Sequence, residues 1–155
     1  MGPVSLDSRE LSGYLDMTAR AHGALVDVQG VGVLLLGPSG IGKSECALEL
    51  VRRGHRLVAD DVVVLERDSE GRLFGESPEL IRPHMELRGI GIVYLPDLFG
   101  PEAVAERAEI GEALALAKGC GHGLLHRLQR LERALHLECP AMAERRVGGL
   151  GRLGE

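Results

Sequence analysis

Eight residues, Gly37-Pro38-Ser39-Gly40-Ile41-Gly42-Lys43-Ser44, constrain what this chain can become more than any other stretch. They match the phosphate-binding pattern of Gly, four residues, Gly, Lys and then Ser or Thr. Gly37, Gly40 and Gly42 lack a Cβ, so the backbone there can turn left-handed and close on an anion. Successive amides then form a nest for a β-phosphate. Lys43 reaches the β- and γ-phosphates, and the Ser44 hydroxyl is placed for a bound Mg²⁺. The flanks suit this role. Gly32-Val33-Leu34-Leu35-Leu36 is an apolar run fit for a buried parallel strand. Residues 44–53 read as a helix with Ala47, Leu50 and Val51 on one face, and Gly54 is placed to stop it. Such a helix would aim its positive N-terminal end at the phosphates. The competing reading is a glycine-rich turn that matches by chance; strand, loop and helix in the right order weigh against it.

The 155 residues predict a single domain, 1–155, with 1–13 and 141–155 loose. Hydrophobic residues at 45% and charged residues at 26% describe a globular chain. Aromatics at 3%, with no Trp, leave little to stack on nucleic-acid bases, and a net charge of −5 argues against a polyanion as partner. Cys46, Cys120 and Cys139 are an odd, scattered set, as expected of reduced thiols in the cytoplasm. No signal peptide and no apolar run of about 18 residues is recognisable, so neither secretion nor a membrane is expected.

Along the chain, residues 1–21 carry little strand signal, and 7–15 reads as a short helix with Leu11, Tyr14 and Leu15 on one face. Ala24-Leu25-Val26-Asp27-Val28 reads as a strand that turns at 29–32 into the strand before the loop, with His22-Gly23 at the head of this hairpin. A second apolar run, 56–66, contains Asp60-Asp61. Carboxylates on a strand beside a phosphate-binding loop serve as metal ligand or base; the alternative is a solvated bulge. Asp68-Ser69-Glu70-Gly71-Arg72 is a turn before a short strand at Leu73-Phe74-Gly75. In 85–95, Glu86 and Arg88 fall on one side of an extended segment, opposite Leu87; alone, such a pair is as readily a surface ion pair. Residues 102–118 are rich in Ala and Glu and read as helix. After Gly119–Gly123, Leu124, Leu128, Leu131 and Leu135 mark an amphipathic helix, followed by a Gly/Arg-rich tail. Cys120, His122 and His126 fit a cap and a helix surface better than a zinc site.

These residues together resemble the catalytic domain of the HPr kinase/phosphorylase family. The resemblance runs from about residue 14 to 105. It rests on Ala21-His22-Gly23-Ala24-Leu25-Val26-Asp27-Val28, on the 37–44 loop with Glu45, and on Arg53-Gly54-His55-Arg56-Leu57-Val58-Ala59-Asp60-Asp61. Glu86-Leu87-Arg88-Gly89-Ile90-Gly91-Ile92 and Leu98-Phe99-Gly100 complete it. It implies an α/β P-loop domain with a central, mainly β core and flanking helices, here with a helical C-terminal end. The implied activity is phosphorylation of a regulatory serine on the phosphocarrier HPr by ATP or pyrophosphate, and phosphorolytic removal of that phosphate. The same resemblance implies that residues 37–44 hold the donor's phosphates and that Lys43 neutralises the transferring phosphoryl. It makes Asp61 the general base, Ser44 and Glu86 the Mg²⁺ ligands, and His22 an active-site residue. It also implies hexamers and a cytoplasmic location. Family members continue past Leu98-Phe99-Gly100 with further strands, where this chain reads as helix. A sheet ending near Leu95 would leave an open edge, predicting low stability and self-association, and the family's loop for phosphorolysis is not recognisable here, predicting that this reaction is weak. The alternative function is a nucleotide-binding regulatory or vestigial module without turnover.

Overall fold

The apolar runs on either side of the 37–44 loop enter one sheet, on the two sides of the strand over 20–28. The computed structural model describes residues 4–5, 19–78, 83–116 and 133. Strand β1 is Val4–Ser5, β2 is Arg20–Val28 and β3 is Val31–Leu36. β2 and β3 form an antiparallel hairpin in which Val28 lies opposite Val31, so the turn is only Gln29-Gly30. Both turn residues have positive φ, 53° and 87°, the mirror-image turn whose twist matches a two-residue hairpin. Asp27 Oδ1 accepts the Gly30 amide at 2.7 Å and pins that turn, while its buried carboxylate pairs with Arg56.

After the loop comes helix α1, Lys43–Arg52. Gly54, at φ 100°, ends it. The 56–66 run divides at Asp60-Asp61 into β4, Arg56–Ala59, and β5, Val62–Arg67. Both lie antiparallel to β2, end to end along it: β4 against Leu25 to Asp27, β5 against Arg20 to His22. The Asp pair is therefore the break in an otherwise continuous strand line. β6, Leu73–Glu76, follows the Asp68 turn and pairs with β5.

The largest departure from the sequence reading is at 102–118. Among the described residues there, only Pro101–Ala103 is helical, as a 3-10 turn, and Arg107–Ala115 is strand β9. β9 runs parallel to β3 through Ile110 to Ala115, antiparallel to β6 through Arg107 to Glu109, and pairs with β1 at its end. Strand order β9-β3-β2-β5-β6 and back to β9 closes the sheet into a ring, with β4 as a branch on β2. Helix propensity over Ala and Glu amounts to tenths of a kcal/mol per residue. The unpaired edges of β3 and β6 outweigh it, because each buried backbone group left without a partner costs about 1–3 kcal/mol. The open edge expected near Leu95 is thus filled, and the self-association argued from it loses its basis.

Two apolar clusters follow from the alternation of side chains. Ala24, Val26, Val28, Val33 and Leu35 point outward, where Cys46, Ala47, Leu50 and Val51 of α1 cover them. Ala21, Leu25, Leu34, Leu36, Val63 and Leu65 point into the ring with Ala108 and Ala113. β3 is buried on both faces, which is why its sequence is unbroken by polar residues. Full burial of a Leu such as Leu34 contributes about 1.5–3 kcal/mol.

Residues 85–95 are not one strand but a second, two-stranded sheet. β7, His84–Leu87, turns through Arg88-Gly89-Ile90 into β8, Gly91–Tyr94. Gly89 and Gly91, both at positive φ, make the turn. Met85 and Leu87 join the cluster over α1, leaving Glu86 exposed on the opposite side. A short helix α2, Leu95–Phe99, follows. Among the described residues no helix is long and apolar enough to cross a membrane. The helix read at 7–15, the Cys120, His122 and His126 set, the leucine stripe and the helical C-terminal end lie outside the described residues.

Candidate active site

Strand register brings His22, the start of the loop and the Asp pair to one end of the ring. Gly23 lies opposite Leu36, the last residue of β3 before the loop, and on its other side donates its amide to the Asp61 carbonyl at 2.9 Å. His22, exposed and opposite Val62, sits beside both. β2 is thus the shared rail along which His22, the loop and the Asp pair align.

The loop leaves β3 at Gly37 and tightens with an Ile41 amide bond to the Pro38 carbonyl at 3.2 Å. It enters α1 through Gly42, whose φ of 105° makes it a left-handed cap with no side chain bonded to the helix end. The amides of the first turn are left without a capping side chain, as an anion site at a helix start requires. Lys43 folds over this mouth. Its Nζ donates to the carbonyls of Gly37 at 2.6 Å and Pro38 at 3.2 Å. On the other wall the Leu116 amide donates to the Leu36 carbonyl at 2.7 Å, so the end of β9 frames the loop's start.

The two aspartates divide in their surroundings. Asp60 is only 6% exposed, and its Oδ1 accepts the Ser44 hydroxyl at 2.9 Å. The backbone amides of Glu86 and Asp61 donate to the same carboxylate. Burial pushes its pKa above the usual carboxylate range and the Asp61 charge adds to that, while the three hydrogen bonds oppose it. Asp61 faces solvent at φ 68°, a left-handed conformation that Asp tolerates better than most residues. The break is therefore a bulge with one carboxylate tied inside and the other presented outside.

Glu86 on β7 and Arg88 in the turn that follows it are both exposed. Among the described residues the two form no ion pair with each other or with any other side chain. Arg88 instead packs on the loop: its Nη2 stands 2.8 Å from the point where a Cβ on Gly40 would sit. Sequence reasoning placed Arg88 in a motif but missed this contact. The one signal for it was the paired placement of Glu86 and Arg88 opposite Leu87.

Ser44 Oγ, Asp60 and Glu86 offer hard oxygen donors, and among the described residues no cluster of three or more His, Cys, Asp or Glu side chains exists. That set fits Mg²⁺, which takes one or two carboxylates and completes its shell with water and phosphate oxygens. It does not fit a closed nitrogen–sulfur site.

Residues 14–138 match the family model of the HPr serine kinase C-terminal domain. The chain belongs to this family. Among its relatives, the HPr kinase/phosphorylase of Geobacter sulfurreducens is 50% identical over 113 residues, covering 73% of this chain and 35% of that protein. The HPr kinase/phosphorylase of Bacillus cytotoxicus is 57% identical over 94 residues, covering 61% of this chain and 30% of the relative. The solved structure of the HPr(Ser) kinase/phosphatase from Coxiella burnetii aligns with a TM-score of 0.62 at 36% identity, over 67% of this chain and 69% of that one. The chain spans about a third of the length of the curated relatives it matches. As an HPr kinase-family domain it is α/β, with a strand-rich core and few helices.

Proposed function

We propose that this domain transfers a phosphoryl group from ATP or pyrophosphate to a regulatory serine of the phosphocarrier HPr, and removes it by phosphorolysis. The observation that carries the reading is the Ser44–Asp60 hydrogen bond, which joins the phosphate-binding loop directly to a pair of aspartates in a chain of this family. The exposed Asp61 and Glu86 beside that loop support an enzyme over a nucleotide-binding module without turnover.

In the forward direction the amides of residues 37–44 and the Lys43 ammonium hold the donor's phosphates. Bound Mg²⁺ would neutralise phosphate charge, and Ser44 and Glu86 are the residues to hold it. The Asp61 carboxylate takes the proton from the seryl hydroxyl as its oxygen attacks the γ-phosphorus. The bond from phosphorus to the bridging oxygen breaks, leaving ADP, or phosphate when pyrophosphate is the donor. In reverse, inorganic phosphate attacks the phosphoserine, Asp61 returns the proton to the seryl oxygen, and pyrophosphate leaves. His22, beside Asp61 on β2, is placed to contact the substrate. The same reading takes 1–155 as one unit of a cytoplasmic protein that assembles with copies of itself.

Single-turnover assays with labelled ATP, or with pyrophosphate, and HPr as acceptor test this. The expected product is phosphoserine on HPr, absent when the acceptor serine is changed to Ala. Nucleotide binding with no transfer to HPr would move the chain to the non-catalytic alternative.

A further inference from the structure

We propose that Arg88 is a phosphate ligand, the second cation, beside Lys43, that meets the donor's phosphate groups; this rests on reading residues 37–44 as the donor's site. Arg88 stands in the tight turn between β7 and β8, where the Ile90 amide donates to the Leu87 carbonyl at 3.1 Å. Leu87, one residue earlier, is buried in the apolar cluster that α1 covers, and Ile41 of the loop packs against the same cluster. The turn and the loop thus stand on one apolar floor. From there the Arg88 side chain reaches Gly40. Its Nη2 lies 2.8 Å, and its Cζ and Nη1 3.5 Å, from where a Cβ on that glycine would sit. The charged planar head meets the loop, and Gly40 leaves the space it occupies.

Charge accounts for why a guanidinium would be kept there. Arg52, Arg53, Arg56, Arg72 and Arg107 each pair with a carboxylate. Arg88 has no such partner among the described residues, although Glu86 lies two positions before it. Its N–H donors are therefore available to an anion, in the planar fork that meets phosphate oxygens two at a time. Lys43 brings one positive charge to the loop, whereas a pyrophosphate or triphosphate brings several negative ones. Asp61 and Glu86, both exposed nearby in the chain's site, add to that excess. A second fixed cation offsets it without any rearrangement of the loop. Arg88 is itself exposed, so a ligand arriving from solvent can meet it.

The test uses the full chain with Arg88→Ala, Arg88→Gln and Arg88→Lys, each titrated with pyrophosphate by calorimetry, first in EDTA and then with Mg²⁺. An exposed turn residue can be replaced without loss of the fold, so the thermal midpoints should agree. Arg88→Ala and Arg88→Gln should weaken pyrophosphate binding by about 10–100-fold, the scale of charge-assisted hydrogen bonds. Arg88→Lys, which keeps the charge and loses the fork, should recover part of the loss. The loss should be present in EDTA, because the guanidinium meets phosphate directly. The second readout is the Arg88 Nε–Hε signal in ¹⁵N-labelled protein, assigned by its absence from Arg88→Lys. Pyrophosphate should shift that signal and slow its exchange with water. Without ligand, amide exchange over residues 37–44 should be the same in Arg88→Ala as in wild type. Affinity within about two-fold of wild type in Arg88→Ala, a loss seen only with Mg²⁺, or an Arg88 signal that pyrophosphate does not move would each overturn the proposal. So would faster loop exchange in ligand-free Arg88→Ala, which would make Arg88 a brace for the loop. If Arg88→Ala does not fold, the wild-type Arg88 signal decides. Wild type that binds no pyrophosphate would overturn the proposal together with the role of the loop. Wild type that binds pyrophosphate through Arg88 yet transfers nothing to HPr would uphold it and overturn the functional reading alone.

Discussion

Gly23 and Asp61 are joined by a backbone hydrogen bond of 2.9 Å, and through it β2 holds the exposed aspartate beside the phosphate-binding loop. Gly23 has no room for a side chain: an added Cβ would stand 2.3 Å from the Leu35 carbonyl oxygen. Gly23→Ala must therefore push β2 away from β3. The expected outcome is a loss of about 1–3 kcal/mol in stability, the range for overpacking. Phosphoryl transfer should fall further than the stability loss explains. Denaturant unfolding and a transfer assay measure the two; a variant with native stability and rate would show that the strands can part without consequence.

Among the described residues Lys43 bonds only the carbonyls of its own loop, so its ammonium is ready to exchange them for phosphate oxygens. Lys43→Ala should weaken ATP or pyrophosphate binding by about 10–100-fold, matching the roughly 1.5–3 kcal/mol of hydrogen bonds to a charged group. The far-UV circular dichroism should not change. Equal binding by calorimetry in both proteins would remove Lys43 from the site.

For Asp61 the informative change is to Asn, because Asn also tolerates the left-handed φ of 68° and keeps the fold. Asp61→Asn should bind nucleotide as wild type does and lose about 10²–10⁴-fold in transfer rate, the contribution of a positioned base. A rate within a few-fold of wild type would shift the base role to His22. Lost binding would mean that Asp61 mainly holds metal.

The pH dependence of stability follows from Asp60. Burial, with the Asp61 charge, raises its folded-state pKa above the value near 3.9 it regains on unfolding. Between those two values the folded chain binds more protons than the unfolded chain, so stability falls as pH rises through that window and is flat above it. Asp60→Asn cannot titrate there. Wild type should therefore gain thermal midpoint relative to Asp60→Asn as pH is lowered from about 7 to about 4. A gap that stays constant or widens against wild type would contradict the raised pKa.

The parts of the molecule legible in the sequence are those set by local chemistry. The 37–44 loop, the helix it opens and the Gln29-Gly30 turn each follow from backbone freedom and short-range periodicity. Asp60-Asp61 stood out because two carboxylates in a β-branched run need a reason. What the sequence hid depends on partners far along the chain. Residues 107–115 look helical by propensity, and only the waiting edges of β3 and β6 make them a strand. The difference between Asp60 and Asp61 is likewise invisible locally, since it arises from Ser44 and Glu86 on two other elements. The contact of Arg88 with Gly40 was hidden for the same reason: it exists only once β7 has been seated over α1.

The position of β9 also orders events in time. Ile110 lies opposite Gly32 and Ala115 opposite Leu36, so the strand that walls the phosphate-binding loop is synthesised roughly eighty residues after the strand it supports. Chains emerge from the ribosome N-terminus first, at about 5–20 residues per second. The β2–β3 hairpin and α1 are local enough to form as they appear, but for several seconds the loop between them has no neighbour at Leu36. The nascent chain thus carries its anion-binding motif before it has an anion-binding site, and maturation of the site is tied to the arrival of its last described strand.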